Sequence, residues 1–349
     1  MAEKDLISFI LLGGTSDLAT RLLLPGLGEY IRASGRPVEV IGAGRGNAPD
    51  YAGQVREAAG ADIPARYFAG DATSREYLEG LLAAAGGARV IIYFALAPQV
   101  SARAIEALRG VQLPADTSLA MEKPYGNSAT EADALDRALH SLVGEDAVYR
   151  VDHFLSEPAV SRAAALVATQ GAPESFEFVY EEDLGLEGRA EFYDSTGAAA
   201  DMVQSHLLQS TARILAGGSD AGAVRDKLAS LRLVPGSVRR GRYRGYTDED
   251  GVNPARETET LVELEVTDGA TRAHLRTGKG FARQRKQVMG IELYRGPLSP
   301  YGGVIRALFE RDHTAFVPER APQLAWWLMD DVTAELSRAP MQEYPLGAR

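Results

Sequence analysis

The sequence predicts an α/β domain with a doubly wound parallel sheet over residues 1–150 and an α+β domain with a mainly antiparallel sheet over residues 151–349. The first prediction comes from short apolar runs that alternate with helical patterns through the first half of the chain. The second comes from later segments in which every second residue is apolar. A length of 349 residues suits two separate hydrophobic cores.

Strands and helices are expected to alternate regularly in the first domain. This order is typical of parallel strands joined by helices. Helical patterns lie at about 17–34, 49–59, 73–86, 101–109 and 128–143. They separate six expected strands, Leu6–Leu12, Val38–Gly42, Arg66–Ala69, Val90–Ala95, Ser118–Met121 and Val148–Val151.

The pattern changes near residue 150. A helical pattern over residues 159–169 is followed by two segments, Ser175–Tyr180 and Glu259–Val266, in which apolar side chains alternate with polar ones. Such alternation is typical of antiparallel strands with one covered face. We therefore place the boundary between the domains at residue 150.

Composition and charge exclude several classes of function. A net charge of -11 argues against a nucleic-acid partner, because binding to phosphates needs clusters of Lys and Arg. No apolar run approaches the length of a membrane span, and residues 1–5 do not resemble a signal peptide, so we expect a cytoplasmic protein without a membrane partner. The chain has no cysteine, and its 5 histidines lack the spacing of metal ligands, so we expect no metal.

The turn after the first strand is a candidate site for a dinucleotide. Its glycines permit a tight turn, and the N-terminus of the next helix can hold a diphosphate. The spacing differs from the usual G-x-G-x-x-G, and a strand-to-helix turn needs glycine in any case, so the turn alone leaves cofactor binding open. The candidate cofactor residues here are Gly13, Gly14, Thr15, Ser16, Asp17 and Leu18.

The end of the second strand favours NADP over NAD. An NAD site usually has an acid at this place to hold the ribose hydroxyls, but here no acid occurs before Asp50. Arg45 suits a 2′-phosphate, although it could also be an ordinary solvated loop residue. Near Pro98, the end of the fourth strand offers an apolar edge for the nicotinamide ribose. We expect NADP as the cofactor, with NAD as a weaker alternative.

Two further side chains are candidates for chemistry. Pro124 favours an extended conformation for Lys123, which therefore leaves the carboxyl edge of the sheet, where ligands of open α/β sheets bind. His206 lies in a pattern that predicts a buried helix, where it shares an apolar stripe with Met202 and Val203. A histidine on such a face is more often structural than catalytic, so its role depends on the rest of the chain.

Taken together, the motifs resemble those of the glucose-6-phosphate dehydrogenase family. The blocks occur in the family's order along nearly the whole chain, and the pair Asp152-His153 followed by Asp201-x-x-x-x-His206 is the most specific. The other matching blocks are Gly13–Ala19 against GxxGDLA, Arg45, Glu122-Lys123-Pro124, residues 150–155 against RIDHYLGK, residues 187–209, residues 276–279 and the closing Tyr344-Pro345-Leu346-Gly347 against YPxG.

The resemblance implies a reaction and a role for each matching residue. His206 would be the base that takes the proton of the sugar's anomeric hydroxyl while hydride leaves C1, with Asp152 as its carboxylate partner. Lys123 would contact both sugar and cofactor. Sugar contacts are implied for Glu182, Asp201 and Lys279, and His153 lies in the segment that grips the substrate phosphate. The resemblance also implies a dinucleotide-binding domain of Rossmann type and a second domain whose sheet commonly mediates homodimers.

Departures from the family pattern bear on the substrate. Ser16 replaces a glycine of the dinucleotide turn, and in the phosphate-gripping segment Phe154 replaces a tyrosine and Glu157 replaces a lysine. A carboxylate near a phosphate is repulsive, so we expect glucose 6-phosphate to be a poor substrate and a free or amino sugar to be the natural one. The alternative is that Glu157 faces solvent and Arg162 replaces the lysine.

Two other functions stay open at this point. One is oxidation of a ring hydroxyl other than that at C1, as in the broader class of sugar and inositol oxidoreductases. The other is a non-catalytic regulatory homologue that binds NADP but no longer turns over a sugar. The joint presence of Lys123, Asp152 and His206 argues against the regulator, because a structural core does not need all three.

Overall fold

The computed structural model describes residues 6–186, 188, 190–282 and 284–348. Residues 1–5, on which the expectation about a signal peptide rests, lie outside this range, as do Glu187 and Arg189 of one block of the family resemblance. The described chain forms two compact units. Among the described residues, none of the helices combines the length and the apolar character that crossing a membrane requires.

The first unit contains a parallel sheet of six strands in the order β3-β2-β1-β4-β5-β6, with helices between successive strands. The α/β prediction is confirmed, and each of the six expected strands is present. The strands are β1 Ile7–Leu12, β2 Val38–Gly44, β3 Ala65–Ala69, β4 Arg89–Phe94, β5 Thr117–Glu122 and β6 Val148–Val151. The helices are α1 Leu24–Ser34, preceded by a π-helical turn Ala19–Leu23, then α2 Tyr51–Ala59, α3 Arg75–Ala83, α4 Pro98–Leu108 and α5 Ala129–His140.

A later segment returns to this unit, so its boundaries differ from the single cut expected at residue 150. The described residues of the unit are 6–126, 130–156 and 296–319. The returning segment contains helix α10, Pro300–Glu310, whose apolar face joins the core formed by β1 and α1. The buried guanidinium of Arg89 donates to the carbonyl oxygens of Leu308 and Phe309 at 2.8 and 2.7 Å, which ties the end of α10 to β4.

The second unit contains a sheet of eight strands, most of whose pairings are antiparallel, as expected. The path is β13-β12-β7-β11-β10-β9-β14, and β8 pairs with β10. Its strands are β7 Ser175–Glu181, β8 Arg232–Leu233, β9 Arg239–Tyr243, β10 Leu261–Thr267, β11 Arg272–Gly278, β12 Lys286–Val288, β13 Ile291–Glu292 and β14 Met341–Tyr344. Its helices are α6 Pro158–Gln170, α7 Ala190–Ala198, a π-helix Ala199–Leu207, α8 Leu208–Leu215, α9 Ala221–Ser230 and α11 Ala321–Leu336.

Candidate active site

The glycine-rich turn after β1 fits closely against the sheet. Gly13 has φ +90°, and a Cβ at this residue would lie 2.2 Å from the carbonyl oxygen of Ala95. A Cβ at Gly14 would lie 2.7 Å from the Cα of Gly42. Both positions therefore require glycine. Ser16 closes the turn by accepting a hydrogen bond from the amide of Ala19 at 3.2 Å, where the following helix begins.

This geometry fits a dinucleotide. The positive end of a helix lies directly behind a turn whose glycines allow a ligand to approach the backbone closely, and such a helix end favours a diphosphate. Thr15 and Asp17 are exposed on the turn, and Leu18 is partly buried beside them. Arg45 is exposed just beyond the end of β2, and Pro98 starts α4 after β4.

The remaining candidates of the first unit lie at the same edge of the sheet. Because β1 to β6 are parallel, the residues that follow them all emerge at the carboxyl edge. Lys123 follows β5 and precedes a cis proline. Asp152 follows β6; it is buried and accepts a hydrogen bond from the amide of Phe154 at 3.0 Å. The ring of the adjacent His153 stacks on Tyr301 of α10, with 5.3 Å between the ring centroids.

Glu122 is a buried acid at the end of β5 that the sequence did not single out for chemistry. Its carboxylate accepts hydrogen bonds from the hydroxyls of Tyr93 and Tyr301. Burial raises the pKa of Glu122 to about 7, although these two hydroxyls and Lys123 oppose the shift. The carboxyl group is therefore protonated in the folded protein over a pH range in which it is ionised in the unfolded chain.

This raised pKa has a measurable consequence for stability. The contribution of Glu122 to the free energy of unfolding is fully present below the pKa that its carboxyl group has in the unfolded chain. It is lost as the pH rises toward about 7, because only the unfolded chain releases the proton in that range. Glu122→Gln abolishes this loss. The difference in unfolding free energy, variant minus wild type, should therefore rise by about 2.5 kcal/mol between about pH 5 and 8 in urea titrations. A difference that stays constant with pH would contradict the assignment.

In the second unit, Asp201 and His206 lie on the π-helix Ala199–Leu207. The expected buried helix is present, but its hydrogen bonds include the i→i+5 type, as from the amide of Leu208 to the carbonyl of Val203. In an α-helix, residues five apart point about 140° away from each other, whereas i→i+5 bonding stacks them. The π-helix thus brings Asp201 and His206 toward the same side. His206 is 2% exposed.

The start of the π-helix is fixed by Gly197 and Glu259. Gly197 has φ +72°, and a Cβ at this position would lie 2.6 Å from a carboxylate oxygen of Glu259. That carboxylate accepts from the amide of Ala199 at 2.9 Å, so it caps the free N–H groups of the helix. Burial raises the pKa of Glu259, and the bond from Ala199 opposes the shift.

Glu182 and Lys279 form an ion pair. β7 and β11 are parallel neighbours with Glu181 opposite Gly278, so the residues that follow both strands emerge at the same edge. The ammonium of Lys279 lies 2.6 Å from a carboxylate oxygen of Glu182 and 5.3 Å from the centroid of the Tyr193 ring. Lys279 is only 7% exposed.

Tyr193 connects this pair to the π-helix. Burial raises the pKa of Tyr193, and the negative charges of Asp201, Glu259 and Glu182 raise it further. Its ring faces the ammonium of Lys279, which is paired with Glu182. Sequence reasoning did not single out Tyr193.

Glu157 is not exposed to solvent, so one part of the alternative considered from sequence is wrong. It is 1% exposed at the N-terminus of α6, and its carboxylate accepts from the amide of Tyr294 at 2.9 Å. Burial raises the pKa of Glu157, and the bond from Tyr294 opposes the shift. Arg162 is exposed and donates to the carbonyl oxygen of Arg295 at 2.8 Å. The acid thus holds a loop in place instead of extending into water.

Comparison with known proteins identifies the family. The family model described as "Glucose-6-phosphate dehydrogenase, NAD binding domain" matches residues 10–161, and "Glucose-6-phosphate dehydrogenase, C-terminal domain" matches residues 174–294. A glucose-6-phosphate 1-dehydrogenase from Mycobacterium tuberculosis is 35% identical over 57% of this chain and 46% of the relative. One from Gluconobacter oxydans is 32% identical over 66% of this chain and 55% of the relative. The chain thus spans about half the length of these curated relatives.

Solved structures agree on the fold. A glucose-6-phosphate 1-dehydrogenase from Mycobacterium avium superposes with a TM-score of 0.80 at 24% identity, covering 99% of this chain and 94% of that one. A putative myo-inositol dehydrogenase from Sinorhizobium meliloti gives a TM-score of 0.61 at 15% identity, covering 95% and 98%. The two family models together match most of the chain, in the order that the sequence motifs follow. This chain belongs to the glucose-6-phosphate dehydrogenase family.

Proposed function

We propose that this protein oxidises a hexose at C1 to a lactone and transfers hydride to NADP. The observation that carries the proposal is the set of retained candidate residues. In the first unit, Lys123 and Asp152 lie at the carboxyl edge of a sheet whose glycine turn fits a dinucleotide. In the second, His206 and Asp201 lie on one π-helix, and Lys279 is paired with Glu182.

Each residue has a definite part in the proposed reaction. His206 accepts the proton of the C1 hydroxyl as hydride leaves C1. The proposed partner Asp152 would hold one imidazole tautomer and stabilise the imidazolium that forms. Lys123, Asp201, Glu182 and Lys279 bind and orient the sugar. A bound nicotinamide dinucleotide supplies the hydride acceptor.

Two candidates exist for the group that the substrate carries at the end opposite C1. The curated relatives named above are glucose-6-phosphate 1-dehydrogenases, which favours glucose 6-phosphate. A buried carboxylate at Glu157, together with Phe154 next to His153, favours instead a hexose that carries a hydroxyl or an ammonium at that end. A screen of free, amino and phosphorylated hexoses for reduction of NADP tests both. Reduction with none of them, under NADP or NAD, would defeat the proposed function.

Arg45 is the proposed determinant of cofactor choice. A charge-assisted bond from Arg45 to a 2′-phosphate is worth about 1.5–3 kcal/mol. Arg45→Ala should therefore weaken NADP binding by about 10–100-fold and leave NAD binding nearly unchanged. Isothermal titration of both cofactors measures this, and equal losses for the two would contradict the assignment. The matched control is Arg36→Ala, which removes an exposed arginine before the start of β2.

We also propose a homodimer, as the family resemblance implies. Multi-angle light scattering of the full chain measures this directly, and a monomer at micromolar concentration would contradict it.

A further inference from the structure

The turn that carries Lys279 is held by a strap, residues 341–348. β14, the first part of the strap, pairs in parallel with β9, where Tyr344 lies opposite Tyr243. Beyond β14, the amide of Gly347 donates to the carbonyl oxygen of Gly280 at 2.6 Å. The amide of Ala282 donates to the carbonyl oxygen of Ala348 at 2.8 Å. The strap is therefore bonded to the turn 279–282 through the backbone of both segments.

Tyr344 reaches the backbone of Lys279 itself. Its hydroxyl donates to the carbonyl oxygen of Lys279 at 2.8 Å and lies 2.6 Å from the hydroxyl of Thr260. Because a hydroxyl has one hydrogen to donate, Thr260 is the donor to Tyr344. Thr260 in turn accepts from the amide of Tyr243 at 3.1 Å. A chain of hydrogen bonds thus runs from β9 through two hydroxyls to Lys279.

The other backbone group of Lys279 is held from the same side. Its amide donates to the carbonyl oxygen of Thr260 at 2.9 Å. Next to it, the amide of Phe281 donates to the carbonyl oxygen of Glu182 at 2.9 Å, and the Phe281 ring stacks on Tyr344 with 5.1 Å between centroids. Both ends of the Glu182–Lys279 ion pair are therefore connected to the same set of bonds.

Fixing the backbone of a lysine matters because its side chain is long and flexible. An ammonium on a four-carbon stem loses much rotamer freedom when it is held in one place. If the backbone of the lysine is already fixed, less conformational freedom has to be lost when a ligand binds. Lys279 is buried between Glu182 and Tyr193, so a shift of its backbone would displace the ammonium from both.

We propose that Tyr344 is a positioning residue, which acts through Lys279 to set the affinity for the sugar. This rests on the proposed function, in which Lys279 binds the sugar. The hydroxyl of Tyr344 does not take part in the chemical step. Its loss therefore raises KM for the sugar and leaves kcat and the KM for NADP nearly unchanged.

Tyr344→Phe tests the proposal because it removes the hydroxyl and keeps the ring that stacks on Phe281. We expect the sugar KM to rise about 5–10-fold, as for the loss of one net hydrogen bond, with kcat changed less than about twofold. The matched control is Tyr246→Phe, which removes a buried hydroxyl that donates to Asp194 at 2.9 Å and should leave the sugar KM unchanged. An equal rise in the control would show a general effect of destabilisation and overturn the proposal.

A double mutant tests whether the effect passes through Lys279. Lys279→Met removes the ammonium, so adding Tyr344→Phe to it should raise the sugar KM no further. A further rise of the size seen in the wild-type background would overturn the proposal.

Hydrogen exchange gives a readout that does not depend on turnover. We expect the amides of residues 279–282 to exchange at least about tenfold faster in Tyr344→Phe than in the wild type, and to be unaffected in Tyr246→Phe. Unchanged exchange would overturn the proposal, as would faster exchange without any change in the sugar KM of an active enzyme. A wild type that oxidises no hexose would defeat the proposed function separately, and exchange would still decide whether Tyr344 fixes this turn.

Discussion

His206→Asn is expected to lower kcat for the sugar by about 10²–10⁴-fold, the usual contribution of a general base. Asparagine keeps a polar side chain of similar reach in a residue that is 2% exposed, so the fold should survive. It cannot take up the proton of the C1 hydroxyl. Steady-state rates with saturating NADP measure the loss, and circular dichroism verifies the fold.

The control for this variant is another histidine of the second unit. His274→Asn makes the same change on β11 at a partly exposed side chain, 3.9 Å from Glu177, and should leave kcat within about twofold. Asp152→Asn should lose a similar amount to His206→Asn or less, because a carboxylate partner only orients and stabilises the imidazolium. Parental turnover by His206→Asn would show that the base has been misassigned.

Glu157→Gln is expected to raise kcat/KM for glucose 6-phosphate by about 30-fold or more. A carboxylate 4 Å from a phosphate charge costs about 4 kcal/mol at an effective dielectric of 20, and about 2 kcal/mol at twice that distance. Glutamine has the same shape and keeps an oxygen that can accept the bond now made by the amide of Tyr294. The variant therefore removes the charge without removing the anchor. Activity on free glucose should stay the same.

Two further variants make this test decisive. Glu157→Lys adds the charge that the family pattern has at this place and should gain more than the glutamine if the buried site accepts it. Glu292→Gln removes an exposed acid that lies 2.9 Å from Arg295, and should change neither substrate. Efficient turnover of glucose 6-phosphate by the wild type, with no gain in Glu157→Gln, would end the case for a free or amino sugar.

Local patterns were enough to predict the parallel sheet. β1, β2, β4, β5 and β6 are short buried runs, and their short length and their alternation with helical patterns indicate strands. β3 is only partly buried, and its place between two helical patterns is what indicates a strand. The same patterns placed Lys123 at the carboxyl edge of the sheet. In the structure Asp152 emerges at that edge too, because the carboxyl ends of parallel strands share an edge. The roles of these residues came from the family resemblance.

Contacts between residues far apart in the chain could not be predicted from local sequence patterns. The apolar face of α10 indicates a buried helix, but nothing in it specifies that residues 296–319 return to the first unit. Glu157 is held by Tyr294, which is 137 residues away in the chain, and no local pattern relates the two. Tyr344 is 65 residues from Lys279 and was seen only as part of a closing motif.

The π-helix was missed for a different reason. An α-helix and a π-helix are distinguished by which residues face outward, yet every residue from Met202 to Leu207 is buried. Because no face of this stretch is exposed, its apolar and polar residues do not alternate in a way that reveals the number of residues per helical turn. The five-residue spacing of Asp201 and His206 is a sequence feature that is consistent with a π-helix, because that spacing suits i→i+5 bonding better than an α-helix.

The most direct test of C1 oxidation is to follow the hydrogen that is transferred. Glucose and glucose 6-phosphate, each carrying deuterium at C1, are incubated with the wild type and NADP, and both products are analysed by mass spectrometry. The account predicts that deuterium appears in the reduced cofactor and that the sugar product is a lactone. Reduced cofactor without deuterium, with the label retained in the oxidised sugar, would contradict it and assign the reaction to another ring hydroxyl.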